Sequence, residues 1–409
     1  MYERVKTMKI IYVDNNVPKA LAVKAIRPIW EGVVWSPIAP FGEEIITEQD
    51  LPGSRWLRVQ NLQCGICSTD INILKIKVDP KISAIALPGN QRLYLGHEAV
   101  GKVVEIGSDV QRFEVGQLVV MESKPFGSPN CHTQEIEPFC SYCASGQTRL
   151  CTNASLGEGM EGVGGGWSDS YTAHETEVWP VPDDLSNDQA SMIEPMAVAL
   201  HGVLRRSPRP GEKVLVIGAG IIGLLTLQCL KAVTPDIHVT ILARYPQQIE
   251  AAERFGADEI VSGENVYPTL AHITGANYYS APFNRGMMLG GFDVVYDCVG
   301  SANTVWDGLR WIVAGGSFVL IGTSLNTMNV DLSPVYTREV DLIGSITFGV
   351  ERWKGREAHT FELVIEMLQS GELSIDGLIT HRFPFKDYRK AVQTASDKST
   401  GAIKVTLVD

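Results

Sequence analysis

The hydrophobic pattern changes character near the middle of the chain. Up to about residue 195, apolar residues come in short runs broken by turn residues. Trp56–Gln60, Ala99–Ile106, Leu118–Glu122 and Glu177–Val181 each read as a strand. This half predicts an irregular, mostly antiparallel β domain whose chemistry sits on loops. Met192–Leu204 has helical spacing, and Arg205–Gly211 (RRSPRPG) is a Pro/Gly connector. Beyond it the strands become continuously apolar: Lys213–Ile217, His238–Leu242, Phe292–Asp297, Ser317–Ile321 and Val340–Ile346. An apolar helix, Ile221–Val233, separates the first two. Pro246 sits in the first turn of the next helix, where its missing N–H costs little. Strands and helices in alternation predict an α/β fold with a doubly wound parallel sheet. A helix near Ala358–Gln369 and a strand at Ile403–Val408 are expected to return to the first domain. The expected division is 1–197 with 338–409 in the β domain, and 198–337 in the parallel α/β domain. The sequence contains neither an internal repeat nor a low-complexity tract.

Composition narrows the function. The 409 residues suit two or three domains, and 44% hydrophobic with 20% charged residues is ordinary for a globular chain. A net charge of −12 argues against a nucleic-acid partner, which needs a basic stripe. No apolar run approaches the roughly 18 residues that span a bilayer, so no membrane partner is expected. The start, MYERVKTMKIIYV, lacks a long apolar segment and a small-residue cleavage site, and Met8 offers an alternative start. A cytoplasmic location is therefore expected. Eight cysteines in such a chain point to metal ligands more than to disulfides. Cys229, inside an apolar helix, and Cys298, after an apolar strand, read as packed thiols.

Three motifs carry chemistry. Gly65–Asp70 (GICSTD) and Gly96–Glu98 (GHE) supply a thiolate, an imidazole and carboxylates from one early stretch. Cys140-x2-Cys143-x7-Cys151 is a separate, compact thiol cluster. The first set suits an open metal site and the second a closed one. Gly218-Ala-Gly-Ile-Ile-Gly223 follows a strand and opens a helix, the context that turns a glycine pattern into a dinucleotide site. A His-Glu pair alone is usually a turn feature. In register with GICSTD and Met-Ile-Glu194-Pro195 it becomes specific.

The order and spacing of these segments resemble the zinc-dependent medium-chain dehydrogenase/reductase family, alcohol and polyol dehydrogenases among them, over nearly the whole chain. The resemblance implies a GroES-like catalytic domain and a Rossmann coenzyme domain. It implies a catalytic zinc on Cys67, His97 and Glu194, with Glu98 a ligand or an adjacent carboxylate that serves catalysis. Asp70 would steady the site from outside, and Cys64 occurs in relatives without ligating. Ethanol-type members use a second cysteine where polyol, glucose and threonine dehydrogenases carry Glu-Pro, as here. Thr69 stands where the family places the hydroxyl that receives the alcohol proton. The family's next relay member is often a histidine, but this chain has Asn72, so beyond Thr69 the proton leaves by a ribose hydroxyl or water.

The family's structural zinc lobe, here about 128–153, reads C-x2-C-x2-C-x7-C. Cys140, Cys143 and Cys151 match the last three, and Glu137 occupies the first slot. The fourth ligand is then Cys131, with Glu137 and His132 as alternatives. At the dinucleotide site, Gly218 and Gly220 would let the backbone approach the pyrophosphate at the helix start formed by Ile221 and Ile222, and Gly223 would permit close helix–strand packing. The position where NAD enzymes carry an acid is Ala243, followed by Arg244. That pair implies NADP in preference to NAD; stacking of Arg244 on the adenine of NAD is the alternative. The implied reaction moves a hydride between NAD(P) and an alcohol or polyol, or its carbonyl. An NAD-dependent threonine or amino-alcohol dehydrogenase and a non-catalytic binding member are the alternatives. Relatives are commonly dimers or tetramers, which implies a homodimer or homotetramer. Asp70–Leu95 and Gly157–Trp167 are the expected substrate walls.

Overall fold

The short apolar runs of the first half fold as a sheet whose long central strand is Trp56–Gly65. The computed structural model describes residues 6–79, 92–122, 129–154, 162–281 and 284–409. Trp56–Gly65 pairs antiparallel with Glu98–Ile106, Ser170–His174 and Lys404–Val408. Leu118–Met121 and Val178–Pro180 extend the sheet on one side, and Ile379–Pro384 extends it on the other. Register shifts at Arg58/Val59 and Asn61/Gln63 bend the long strand, as bulges do. Leu57, Val59, Ala99, Val103 and Leu407 pack beneath it as one buried cluster. This unit comprises Met1–Glu194 and Ile379–Asp409.

The unit also contains a small sheet that the pattern of short runs did not flag. Thr7–Asp14 pairs antiparallel with Phe41–Thr47 and with Arg92–Tyr94. Between the first two strands lies the helix Val17–Ile26, whose start is capped by the Asn16 side chain, accepting the Lys19 N–H at 3.1 Å.

Continuous apolar runs build the second unit, Pro195–Leu378. Its main sheet has six parallel strands, and Asn277–Ala281 with Asn284–Leu289 and Val350–Trp353 with Arg356–His359 form two separate antiparallel pairs. The six lie in the order Glu259–Val261, His238–Leu242, Lys213–Ile217, Phe292–Asp297, Ile312–Leu320, Asp341–Gly344. That is the doubly wound order, with its switch between Lys213–Ile217 and Phe292–Asp297, where dinucleotides bind. The chain returns to the first unit at Ile379, later than the expected residue 338. The reason is that Asp341–Gly344 becomes the sixth parallel strand, and the helix Thr360–Ser370 stays with it. The first boundary falls between Glu194 and Pro195, just before the expected 197/198. Among the described residues no helix is long and apolar enough to cross a membrane.

Candidate metal centres and dinucleotide site

The strand Trp56–Gly65 ends beside Glu98, and the chain turns at Cys67 into the helix Ser68–Leu74. Cys67 caps that helix, its sulfur accepting the Thr69 N–H at 3.5 Å. Ligand atoms of Cys67, His97 and Glu98 all lie within 4.8 Å of one another. Asp70 ties the two motifs together. It accepts the N–H groups of Cys67 at 3.3 Å and Gly96 at 3.0 Å, and its Oδ1 lies 3.2 Å from Nδ1 of His97. That contact engages Nδ1 of His97, the usual arrangement for an imidazole ligand oriented by a carboxylate. Burial pushes the Asp70 carboxyl up, but His97 and the N–H donors outweigh it and hold it below its ordinary value. Burial pushes His97 down, yet Asp70 and Cys67 carry it well above its ordinary value. Gly96 must be glycine: its φ is +86°, and a Cβ there would lie 2.4 Å from the Trp167 ring.

Glu194 heads the helix Ile193–Arg205 and is buried. It is not in the mutually close set, but it stands in the field of His97, Glu98, Lys404 and Asp70. Burial pushes its carboxyl up to about 7.

In the lobe, the sulfurs of Cys131, Cys140, Cys143 and Cys151 all lie within 4.8 Å of one another. Cys131 and Cys151 are 3.6 Å apart, and Cys140 and Cys151 are 3.9 Å apart. Zinc–sulfur bonds of about 2.3 Å give a tetrahedron with edges of about 3.8 Å, so the spacing fits one ion. Donors converge on the sulfurs: the Cys140 N–H on Cys131 at 3.5 Å, the Cys143 N–H on Cys140 at 3.4 Å and the Asn153 N–H on Cys151 at 3.3 Å. Main-chain N–H groups of Cys143 and Thr152 hold the Cys140 thiol down to about 5, whereas burial pushes Cys143 up. Glu137 is exposed and outside the cluster, and His132 packs on Phe139 with ring centroids 4.2 Å apart. The lobe's first residue, 128, lies outside the described residues.

The strand Lys213–Ile217 leads through Gly218, at φ +92°, into the helix Ile221–Val233, with Gly220 as its N-cap. A Cβ on Gly220 would meet nothing within 4 Å, so the helix start is open to a ligand. A Cβ on Gly223 would lie 1.7 Å from the Gly218 oxygen, which makes glycine obligatory for the close packing. Ile221 and Ile222 form the helix's first turn, whose free N–H groups suit a phosphate. Ala243 follows the second strand and is buried, and Arg244 after it is exposed.

Comparison with known proteins fits this geometry. Residues 53–183 match the alcohol dehydrogenase GroES-like domain, and residues 222–394 match the zinc-binding dehydrogenase domain. An L-arabinitol 4-dehydrogenase of Aureobasidium melanogenum is 30% identical over 373 residues, which cover 90% of this chain and 91% of that protein. The chain belongs to the zinc-dependent medium-chain alcohol/polyol dehydrogenase family. An L-idonate 5-dehydrogenase of Vitis vinifera is 28% identical over 351 residues, 85% of this chain and 87% of its own. A short chain alcohol dehydrogenase from Escherichia coli CFT073, solved with NADH, shares the fold with a TM-score of 0.73 at 21% identity, covering 98% of this chain and 99% of its own. As a member of the family, the chain is an oxidoreductase acting on CH–OH groups, and it carries residue sets for zinc and for a nicotinamide dinucleotide.

One residue of this medium-chain dehydrogenase escaped sequence reasoning. Lys404, on the C-terminal strand, is buried and its Nζ donates to Glu98, equally buried, 306 residues away in sequence. Gly65 makes the room: a Cβ there would lie 1.9 Å from Glu98 Oε2 and 2.8 Å from Lys404 Cε. Burial opposes the charge on Lys404, but Glu98 and Cys67 hold its pKa above the ordinary value. Breaking a buried pair from one side leaves a charge without compensation and costs about 3–5 kcal/mol. Lys404→Met is therefore expected to lower the melting temperature by roughly 6–20 °C. Adding Glu98→Gln should recover most of that loss, and a thermal melt of the three proteins reads it. If the double variant is no more stable than Lys404→Met, the pair does not carry the cost. Of the expected substrate walls, 80–91 and 155–161 lie outside the described residues. Gly166 and Trp167 lie against the GHE segment, their N–H groups donating to the oxygens of Gly96 and Leu95 at 2.8 and 3.1 Å.

Proposed function

We propose that the chain is a zinc-dependent, NADP-preferring dehydrogenase that interconverts a polyol or related alcohol and its carbonyl. The observation that carries this is the convergence of Cys67, His97 and Glu98 on one point, with the buried carboxyl of Glu194 in the same field. A thiolate, an imidazole and carboxylates form an open, zinc-selective donor set with room for substrate oxygen. The polyol assignment draws on Glu194-Pro195 and on the L-arabinitol and L-idonate relatives.

In this reading, Cys67, His97 and Glu194 hold the catalytic ion, and Asp70 fixes the imidazole. When bound, zinc supplies a Lewis acid that acidifies an alcohol or polarises a carbonyl. Lys404 holds Glu98 by a buried charge, keeping its carboxylate beside the ligands. Thr69, on the turn after Cys67, takes up the hydroxyl proton of the substrate. Asn72, one helical turn on, does not titrate, so the proton passes to a cofactor hydroxyl or water. Gly218, Gly220 and the N–H groups of Ile221 and Ile222 receive the pyrophosphate. Cys131, Cys140, Cys143 and Cys151 hold the structural ion.

Arg244 would make a charge-assisted contact with the 2′-phosphate that NAD lacks. Arg244→Ala is therefore expected to weaken NADP roughly tenfold to a hundredfold while NAD changes less than about twofold. Saturation curves with both cofactors against a panel of polyols, in wild type and variant, test the reading. A wild type that prefers NAD, or a variant that loses both cofactors equally, refutes the 2′-phosphate role. Absence of turnover on every polyol refutes the substrate class.

A further inference from the structure

The turn that displays Arg244 has its main-chain donors already taken. After the strand His238–Leu242, the Ala243 N–H donates to Val261 O at 3.1 Å and so belongs to the sheet. The next two N–H groups, of Arg244 and Tyr245, both donate to the side-chain oxygen of Gln248, at 3.2 and 3.3 Å. Gln248 is the third residue of the helix Pro246–Arg254, and its own N–H donates to Tyr245 O at 2.9 Å. Pro246 offers no N–H. The donors nearest the Arg244 side chain thus converge on one neutral acceptor. Arg244 itself makes no ion pair among the described residues; its guanidinium lies 5.8 Å from the Tyr245 ring centre.

We infer that Gln248 sets the balance between NADP and NAD by acting as a built-in competitor for the 2′-phosphate. This rests on the reading that Arg244 faces that phosphate. Two N–H groups at a helix start beside a guanidinium suit an anion better than an amide oxygen, because charge-assisted hydrogen bonds are roughly twice as strong as neutral ones. A 2′-phosphate entering beside Arg244 therefore gains these donors only by displacing the Gln248 oxygen. The ribose hydroxyls of NAD have no such call on them and leave the glutamine in place. The chemistry at position 248 should then move phosphate affinity without moving affinity for the rest of the nucleotide.

Two substitutions push in opposite directions. Gln248→Ala frees both N–H groups, so the phosphate no longer displaces an acceptor. Gln248→Glu keeps both hydrogen bonds, strengthens them by charge and repels the phosphate, and glutamate at this helix position maintains the cap. The probes are 2′,5′-ADP, which carries the phosphate, and 5′-ADP, which lacks it, titrated calorimetrically into the full-length protein. Gln248→Ala is expected to bind 2′,5′-ADP roughly three- to tenfold tighter, and Gln248→Glu at least about tenfold weaker. Affinity for 5′-ADP should stay within about twofold in all three proteins. If Gln248→Ala weakens both nucleotides together, the glutamine only shapes the turn and the inference fails. A wild type that favours 2′,5′-ADP, with neither variant shifting that preference, overturns the role of Gln248 alone. Equal wild-type affinity for the two nucleotides, unmoved by either variant, overturns the reading of Arg244 as well.

Discussion

Cys67→Ala and His97→Ala are each expected to cut turnover by at least about a thousandfold and to lower zinc from about two ions per chain to about one. The Lewis-acid contribution of a catalytic ion is several kcal/mol, and about 4 kcal/mol corresponds to that factor. Neither side chain holds the domain together. Cys67 is half-buried at the turn into the helix Ser68–Leu74, and the sheet is anchored by Leu57, Val59, Val103 and Leu407. The two variants should differ in stability, however. Cys67→Ala removes a cap whose sulfur accepts one N–H at 3.5 Å. His97→Ala strips the imidazole from Asp70, a buried carboxylate that His97 helps to keep charged. Asp70 keeps its bonds from Cys67 and Gly96, so the loss is partial. His97→Ala should therefore melt lower than Cys67→Ala by a few degrees while losing the same ion. Metal analysis, a melting curve and a rate measured on each protein separate these effects. Retained turnover with one ion lost would show that the catalytic ion is held elsewhere.

What the sequence disclosed follows from where each element's signal is written. Lys213–Ile217, His238–Leu242 and Phe292–Asp297 are found at the residues expected, because a strand covered on both faces is apolar throughout and bounded by turn residues. The clustering of Cys67, His97 and Glu98 was legible for a similar reason: their motifs are local strings whose residue types suit one chemistry. Thr7–Asp14 was not legible. It is as apolar as the other buried strands, but its partners, Phe41–Thr47 and Arg92–Tyr94, lie far along the chain and are polar or half-buried. The return to the first unit was placed too early because a sixth parallel strand looks the same locally whether it closes one sheet or opens another. Lys404 was invisible for a deeper reason. A lysine in a strand reads as a solvated edge, and only the fold shows that Gly65 leaves space for it to reach Glu98. For the fourth lobe residue the donor chemistry favoured Cys131, while spacing alone kept Glu137 and His132 as alternatives. The loop from Cys131 to Cys140 brings the thiol, not the carboxylate, to the other three sulfurs.

That loop sets the second large effect. Cys143→Ser is expected to destabilise the first unit by about 5 kcal/mol and to lower its melting temperature by roughly 10–20 °C, with little change in rate per folded molecule. A closed thiolate site contributes its binding free energy to folding, since the unfolded chain offers no preformed site. The lobe has little else to hold it: Ser141–Ala144 is a single helical turn, and Cys143 and Cys131 are its buried cysteines. Without the ion, thiols less than 4 Å apart would also oxidise readily. The same logic separates the fourth-ligand candidates. Cys131→Ser should behave like Cys143→Ser, because Cys131 is fully buried and receives N–H bonds from Cys140 and the Asn153 side chain. Glu137→Gln should change the melting temperature by less than about 2 °C, as expected for an exposed side chain outside the cluster. Zinc content and melting temperature of the three variants decide the matter. If Glu137→Gln loses the ion and Cys131→Ser keeps it, oxygen ligation replaces the fourth thiolate. If Cys143→Ser melts with wild type at unchanged zinc content, the lobe holds no structural ion.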